Sequence, residues 1–76
     1  MEITEFIEKF AEIFDDTDAA TLSPETNFRE LDEWSSLSAL ALIAMADEEY
    51  EVELKGDDIR KANTIADIFE IVKEKA

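Results

Sequence analysis

Seventy-six residues suffice for one small domain with a modest core, and Leu, Ile, Val and Phe supply 21 of them, above the level of a disordered chain. Seven bases against 21 acids, a net charge of −14, leave no basic patch for nucleic acid, and the absence of Cys and His removes thiol nucleophiles, Cys/His zinc sites, imidazole bases and the Ser-His-Asp arrangement. The chain starts at Met1 directly in an acidic amphipathic segment, with no signal peptide and no apolar run long enough to span a bilayer. The expectation is a soluble cytoplasmic domain over residues 1–76, a binding or carrier protein and not an enzyme, with stability lowered by self-repulsion.

Ile3, Phe6, Ile7, Phe10 and Phe14 recur at helical spacing and predict a first helix over about residues 3–14, with Thr4 near its start and Asp15-Asp16 after its end. Its phenylalanines are read as core. Residues 15–34 form a long connection with its own anchors in Leu22, Phe28, Leu31 and Trp34, so it is read as a pinned loop. Ser23 is placed to cap a turn with Pro24 at the first helical position. Asn27 followed by Glu30 resembles a capping box. Asp15, Asp16 and Asp18 hint at calcium, but Ala20 and Thr21 stand where an EF-hand needs further ligands and a glycine, so a solvated acidic turn is expected and no metal.

The second helix is predicted over about Ser36 to Tyr50 and carries two apolar stripes. Leu37, Leu40, Ala41 and Ala44 form one. Ala39, Leu42, Ile43, Ala46 and Tyr50 form the other. A helix in so small a domain cannot bury both, so one stripe should join the core and the other should meet a partner. Glu51 to Leu54 alternates but has no partner strand and reads as extended loop. Gly56 allows a turn, Asp57 is placed to cap a short third helix from Asp58 to Lys61, and Thr64 with Asp67 starts a last helix carrying Ile65, Ile68, Phe69 and Val72. The fold class expected is all-α, a small antiparallel helical bundle of three main helices plus one short helix, with a long first loop. Its core should unite Phe6, Ile7, Phe10, Phe14, Leu42, Ile43, Ala46, Tyr50, Ile65, Ile68, Phe69 and Val72.

From Phe28 to Leu37 the sequence F-R-E-L-D-E-W-S-S-L resembles the acyl carrier protein family, which approaches an Asp-Ser-Leu motif through a Phe and a Leu at the start of its second helix. The likeness continues through Asp47-Glu48-Glu49-Tyr50, Ile59 and Asn63-Thr64-Ile65, and so covers essentially the whole chain. It implies a non-enzymatic carrier. A separate phosphopantetheinyl transferase would move 4′-phosphopantetheine from coenzyme A onto the motif serine, and acyl groups would ride on the arm's thiol as thioesters between acyl-processing enzymes. Position for position, the motif serine is Ser36.

The family's usual Asp before that serine, which as the resemblance implies helps the transferase recognise the carrier, is Ser35 here. Its absence bears on how efficiently, and whether, Ser36 is modified. Ser35 is expected at the N-cap, Ser36 at the first helical position with its side chain outward, and Ser38 inside the helix where backbone N–H groups are engaged. From Glu30 to Leu54 there are eight acids and no Lys or Arg, so basic docking surfaces are expected on the client enzymes. These would meet Leu37, Leu40, Ala41, Ala44, Asp47 and Glu48 on a monomeric carrier. The acidic helix and the lack of His lean toward fatty-acyl chemistry, in fatty-acid or related lipid biosynthesis, and leave carriers of polyketide or aminoacyl units open. The rival readings are an unmodified acidic helical interaction module of the same fold, separated from a carrier by an arm on Ser36, and an acidic divalent-ion buffer.

Overall fold

Four α-helices, joined by one long and two short connections, make up an all-α bundle in a computed structural model that describes residues 2–15 and 17–76. Asp16, one of the acids placed after the first helix and considered for calcium, lies outside the described residues. Helix α1 spans Ile3–Ala11, shorter than its apolar spacing predicts. Two tight turns follow it, with Ile13 N–H donating to the Phe10 carbonyl at 3.2 Å and Phe14 N–H to the Ala11 carbonyl at 3.1 Å. They keep Phe14 on the buried face although the helix has ended, because apolar spacing reports which face is buried and not where the hydrogen-bond ladder stops.

Helix α2 spans Ser36–Tyr50 and α4 spans Ile65–Lys75, both as their patterns predict. Phe6, Phe10, Phe28, Leu42, Val52, Ile65, Ile68 and Val72 are fully buried. The first stripe of α2 faces solvent, with Leu37 76% and Leu40 63% exposed, while Leu42 and Ala46 of the second are sealed in the core. Ile43 and Tyr50, expected in the core, are only half-buried. Tyr50 lies against Phe6 at 6.0 Å between ring centroids, and its hydroxyl is buried with no hydrogen-bond partner among the described residues. That burial, then the carboxylate of Glu5, holds the phenol above its ordinary pKa. Val52 and Leu54 are buried and Glu51 and Glu53 exposed. The alternating segment thus supplies two core side chains without forming a strand. The chain turns into it at Glu51, where a positive φ of 55° ends α2.

The long connection is pinned at both ends of the bundle. It contains two 3₁₀ turns, Ala19–Thr21 and Phe28–Glu30, capped by the side chains of Asp18 and Asn27. The partner of Asn27 is the Arg29 N–H at 3.0 Å, a one-sided cap. Ser23 and Pro24 open a turn closed by Thr26 N–H on the Ser23 carbonyl at 3.0 Å, not a helix start. Beyond that turn the loop reaches α4. Ile65 N–H donates to the Thr26 carbonyl at 3.1 Å and Ala66 N–H to the Pro24 carbonyl at 2.9 Å. These are the first-turn donors that α4 cannot satisfy within itself. Its remaining donors are met by a capping box between Thr64 and Asp67, whose carboxyl is held below the usual range first by the backbone N–H of Asn63 and then by that of Thr64.

Helix α3 spans Gly56–Lys61, starting earlier than predicted. Asp57 is not its cap. Asp58 reaches back to the Lys55 N–H at 3.0 Å and also pairs with Lys75 Nζ at 3.0 Å. Gly56 has an ordinary negative φ and gives the turn none of the freedom expected of it. Since Phe28 is fully buried within the loop, Phe28→Ala should cost about 3–5 kcal/mol, a large part of a small domain's stability, whereas Leu37→Ala should stay within about 0.5 kcal/mol. Denaturant unfolding of the two variants checks this. Equal effects would mean that the loop is not packed into the core.

Candidate functional site

The chemistry-bearing stretch is the start of α2, and its position is set by the residue before it. Trp34 is half-buried between the loop and α1. Its ring meets Phe28 edge-on at 4.7 Å, stacks parallel to Phe10 at 6.3 Å, and touches Phe14 at 6.4 Å. Aromatic pairs at these separations add to the area they bury. They hold the chain so that the next residue, Ser35, can cap the helix.

Three serines share that turn and do different work. Ser35 is the N-cap, in extended conformation. Its N–H donates to Ser38 Oγ at 3.2 Å, and Ser38 N–H donates to Ser35 Oγ at 3.4 Å, a long bond. Ser38 Oγ also donates to the Glu33 carbonyl at 3.1 Å. Ser38 is 7% exposed, and its hydroxyl is committed both as donor and as acceptor. Ser36 is the first helical residue. It is exposed, and its hydroxyl has no hydrogen-bond partner among the described residues. It stands where helix N–H groups and the positive end of the helix dipole favour an anion.

Ser36 opens onto a groove of about 640 Å³ between α2 and α3. Trp34, Ala39, Leu40, Ile43 and Ile59 give it apolar walls, and Arg29 and Arg60 lie at its α3 side. Ala41 and Ala44 line a smaller cleft of about 290 Å³ against α1, with Ile13, Met45 and Glu48. The predicted stripe is therefore a crest between two clefts, with Leu37 and Leu40 its most exposed residues. Asp47 and Glu48 are exposed at its C-terminal end. Glu49 beside them is tied to Lys9 of α1 at 2.8 Å. Among the described residues no group of three or more acids is arranged to hold a metal ion, and no helix is long and apolar enough to cross a membrane.

The two arginines of the groove were not singled out by the sequence. Arg29 Nη2 donates to the carbonyls of Ile59 at 2.8 Å and Arg60 at 2.6 Å, and Nη1 donates to Asn63 Oδ1 at 3.2 Å. The signal available was its isolation, since it is the single base between Lys9 and Lys55.

A family model described as "Phosphopantetheine attachment site" matches residues 4–72. An acyl carrier protein of Picosynechococcus sp. is 32% identical over 60 residues, which cover 79% of this chain and 74% of that protein. The solution structure of the holo acyl carrier protein of Geobacter metallireducens superposes with a TM-score of 0.78 at 26% identity, covering 96% of this chain and 83% of the other.

The division of labour among the serines predicts opposite effects on stability. Ser38→Ala removes a buried hydroxyl from the capping box and should cost about 1 kcal/mol, whereas Ser36→Ala should leave thermal unfolding unchanged. A loss of stability in Ser36→Ala equal to that in Ser38→Ala would show that the Ser36 hydroxyl is structurally engaged.

Proposed function

The chain belongs to the acyl carrier protein family, whose cofactor is covalently attached 4′-phosphopantetheine, and we propose that Ser36 is the residue that carries it here. The observation that supports this most directly is the unpartnered, exposed hydroxyl of Ser36, between a serine committed to capping and a serine buried in the same network. The residues fit the group. A free primary hydroxyl can become one ester of a phosphodiester, the helix start favours its charge, and the adjoining apolar groove can lie along its carbon chain. When bound, the arm supplies a thiol on which acyl groups ride as thioesters. This chain's own part is to present that arm and to be recognised.

In this reading the 76 residues act as one monomeric cytoplasmic carrier domain without catalysis of its own. A phosphopantetheinyl transferase loads it, and acyl-processing enzymes of fatty-acid or related lipid or polyketide biosynthesis are its clients. Incubation with coenzyme A and a broad-specificity transferase, followed over time by intact mass, tests it. Ser36→Ala should abolish loading. Ser35→Asp, which restores an acid at the N-cap, should speed loading several-fold and keep the cap. Loading of Ser36→Ala at the wild-type rate would refute the assignment. The unmodified interaction module remains the alternative, and it requires that no arm be accepted.

Clients would be recognised in two steps. The eight acids from Glu30 to Leu54, with no base among them, steer a basic surface toward α2, and the crest of Leu37, Leu40, Ala41 and Ala44 then buries against it, flanked by Asp47 and Glu48. Glu48→Lys should slow association with the transferase several-fold at low salt and flatten its salt dependence without changing the fold. Unaltered association kinetics across a salt series would place docking elsewhere.

A further inference from the structure

The groove beside Ser36 holds two of the chain's seven bases, in a molecule with 21 acids. Arg29 is fixed. Its guanidinium is tied to the carbonyls that end α3, and it lies 5.5 Å over the Phe28 ring. No carboxylate neutralises it among the described residues. Arg60, on the same wall, is exposed by contrast. Its side chain is 81% exposed and among the described residues pairs with Asp57 alone, at 3.4 Å and 77% exposed, a contact too open to hold it firmly. The groove wall across from Ser36 therefore presents one tied positive charge and one that is exposed and weakly paired.

We propose that Arg60, backed by Arg29, forms an anion site on the rim of the α2–α3 groove that takes the phosphodiester of the arm carried on Ser36 and folds the arm against the groove. The inference rests on the Ser36 reading and adds a place for the arm. A phosphodiester keeps its negative charge throughout the physiological range. Beyond the helix N–H groups, the flanking stretch from Glu30 to Leu54 offers it acids and no base, and the cationic side chains that line the groove with Ser36 are Arg29 and Arg60. A guanidinium suits that role, because its planar fork matches two phosphate oxygens. Giving up Asp57 costs Arg60 little, and the tie from Arg29 to the Ile59 and Arg60 carbonyls holds α3 at the distance the groove requires. Trp34, Leu40, Ile43 and Ile59 then cover the arm's apolar portion.

The test compares wild type, Arg60→Gln, Arg60→Glu and, as a control on the same helix, Lys61→Glu, each before and after loading from coenzyme A. Intact mass reports the arm separately from where the arm lies. In wild type, loading should move the backbone amide resonances of Leu40, Ile43 and Ile59 and the ³¹P resonance of the phosphodiester. In both Arg60 variants the amide shifts should fall by at least half. Arg60→Glu should lower the melting temperature of the loaded form by roughly 1–5 °C more than that of the unloaded form, a gap that closes near 1 M salt. Lys61→Glu should show no such gap. Loading-induced shifts unchanged in both Arg60 variants, or an equal gap in Lys61→Glu, would overturn the site while leaving the arm on Ser36 intact. Failure of wild type to take up the arm would overturn the Ser36 reading and this site together.

Discussion

The reciprocal hydrogen bonding of Ser35 and Ser38 is the constraint from which the rest of the site follows. It fixes the first residue of α2, and by doing so decides which of three neighbouring hydroxyls is left over. The box is asymmetric. The Ser35 cap is long at 3.4 Å, and the firmer bonds are those of the buried Ser38 hydroxyl to the Ser35 N–H and the Glu33 carbonyl. An acid at the N-cap would cap comparably and add a favourable interaction with the helix dipole. With serine there instead, the register is held mainly from the third helical position and by the packing of Trp34.

That packing connects the site to distant parts of the chain. Trp34 rests on Phe10 and Phe28, and the loop that carries Phe28 is stitched to the first turn of α4 through the Thr26 and Pro24 carbonyls. Arg29 extends the same loop to the end of α3. The start of α2 is thus located by α1, α3 and α4 together, which leaves the exposed face of α2 free of structural duty. In a chain of net charge −14, Asp47 and Glu48 stand exposed at the C-terminal end of that face.

What could be read from the sequence was what depends on neighbours. The extents of α2 and α4 follow from local capping chemistry and helical period, and Ser35, Ser36 and Ser38 occupy the positions that chemistry assigns them. Helix α1 ends before Phe14 although its apolar spacing runs on, because Phe14 keeps its apolar phase through two tight turns. Helix α3 starts before Asp57 because Asp58 bonds back to the Lys55 N–H from the third helical position, a choice between adjacent aspartates that only geometry makes. Ile43 shares the helical spacing of Leu42 and Ala46, which predicts it in the core, yet it lies at the stripe's edge, on the groove. Burial of Val52 and Leu54, and the reach of Arg29 across some thirty residues to α3, depend on how the connections fold back, which no local pattern records.

If Ser36 carries the arm, the capping network leaves it, and neither neighbour, available for modification. Fragmentation mass spectrometry of the wild-type protein after loading from coenzyme A tests it most directly, because it reports the modified atom's residue without any substitution in the turn. The arm is expected on Ser36 alone. An arm on Ser35 or Ser38, or none under forcing conditions, would contradict it.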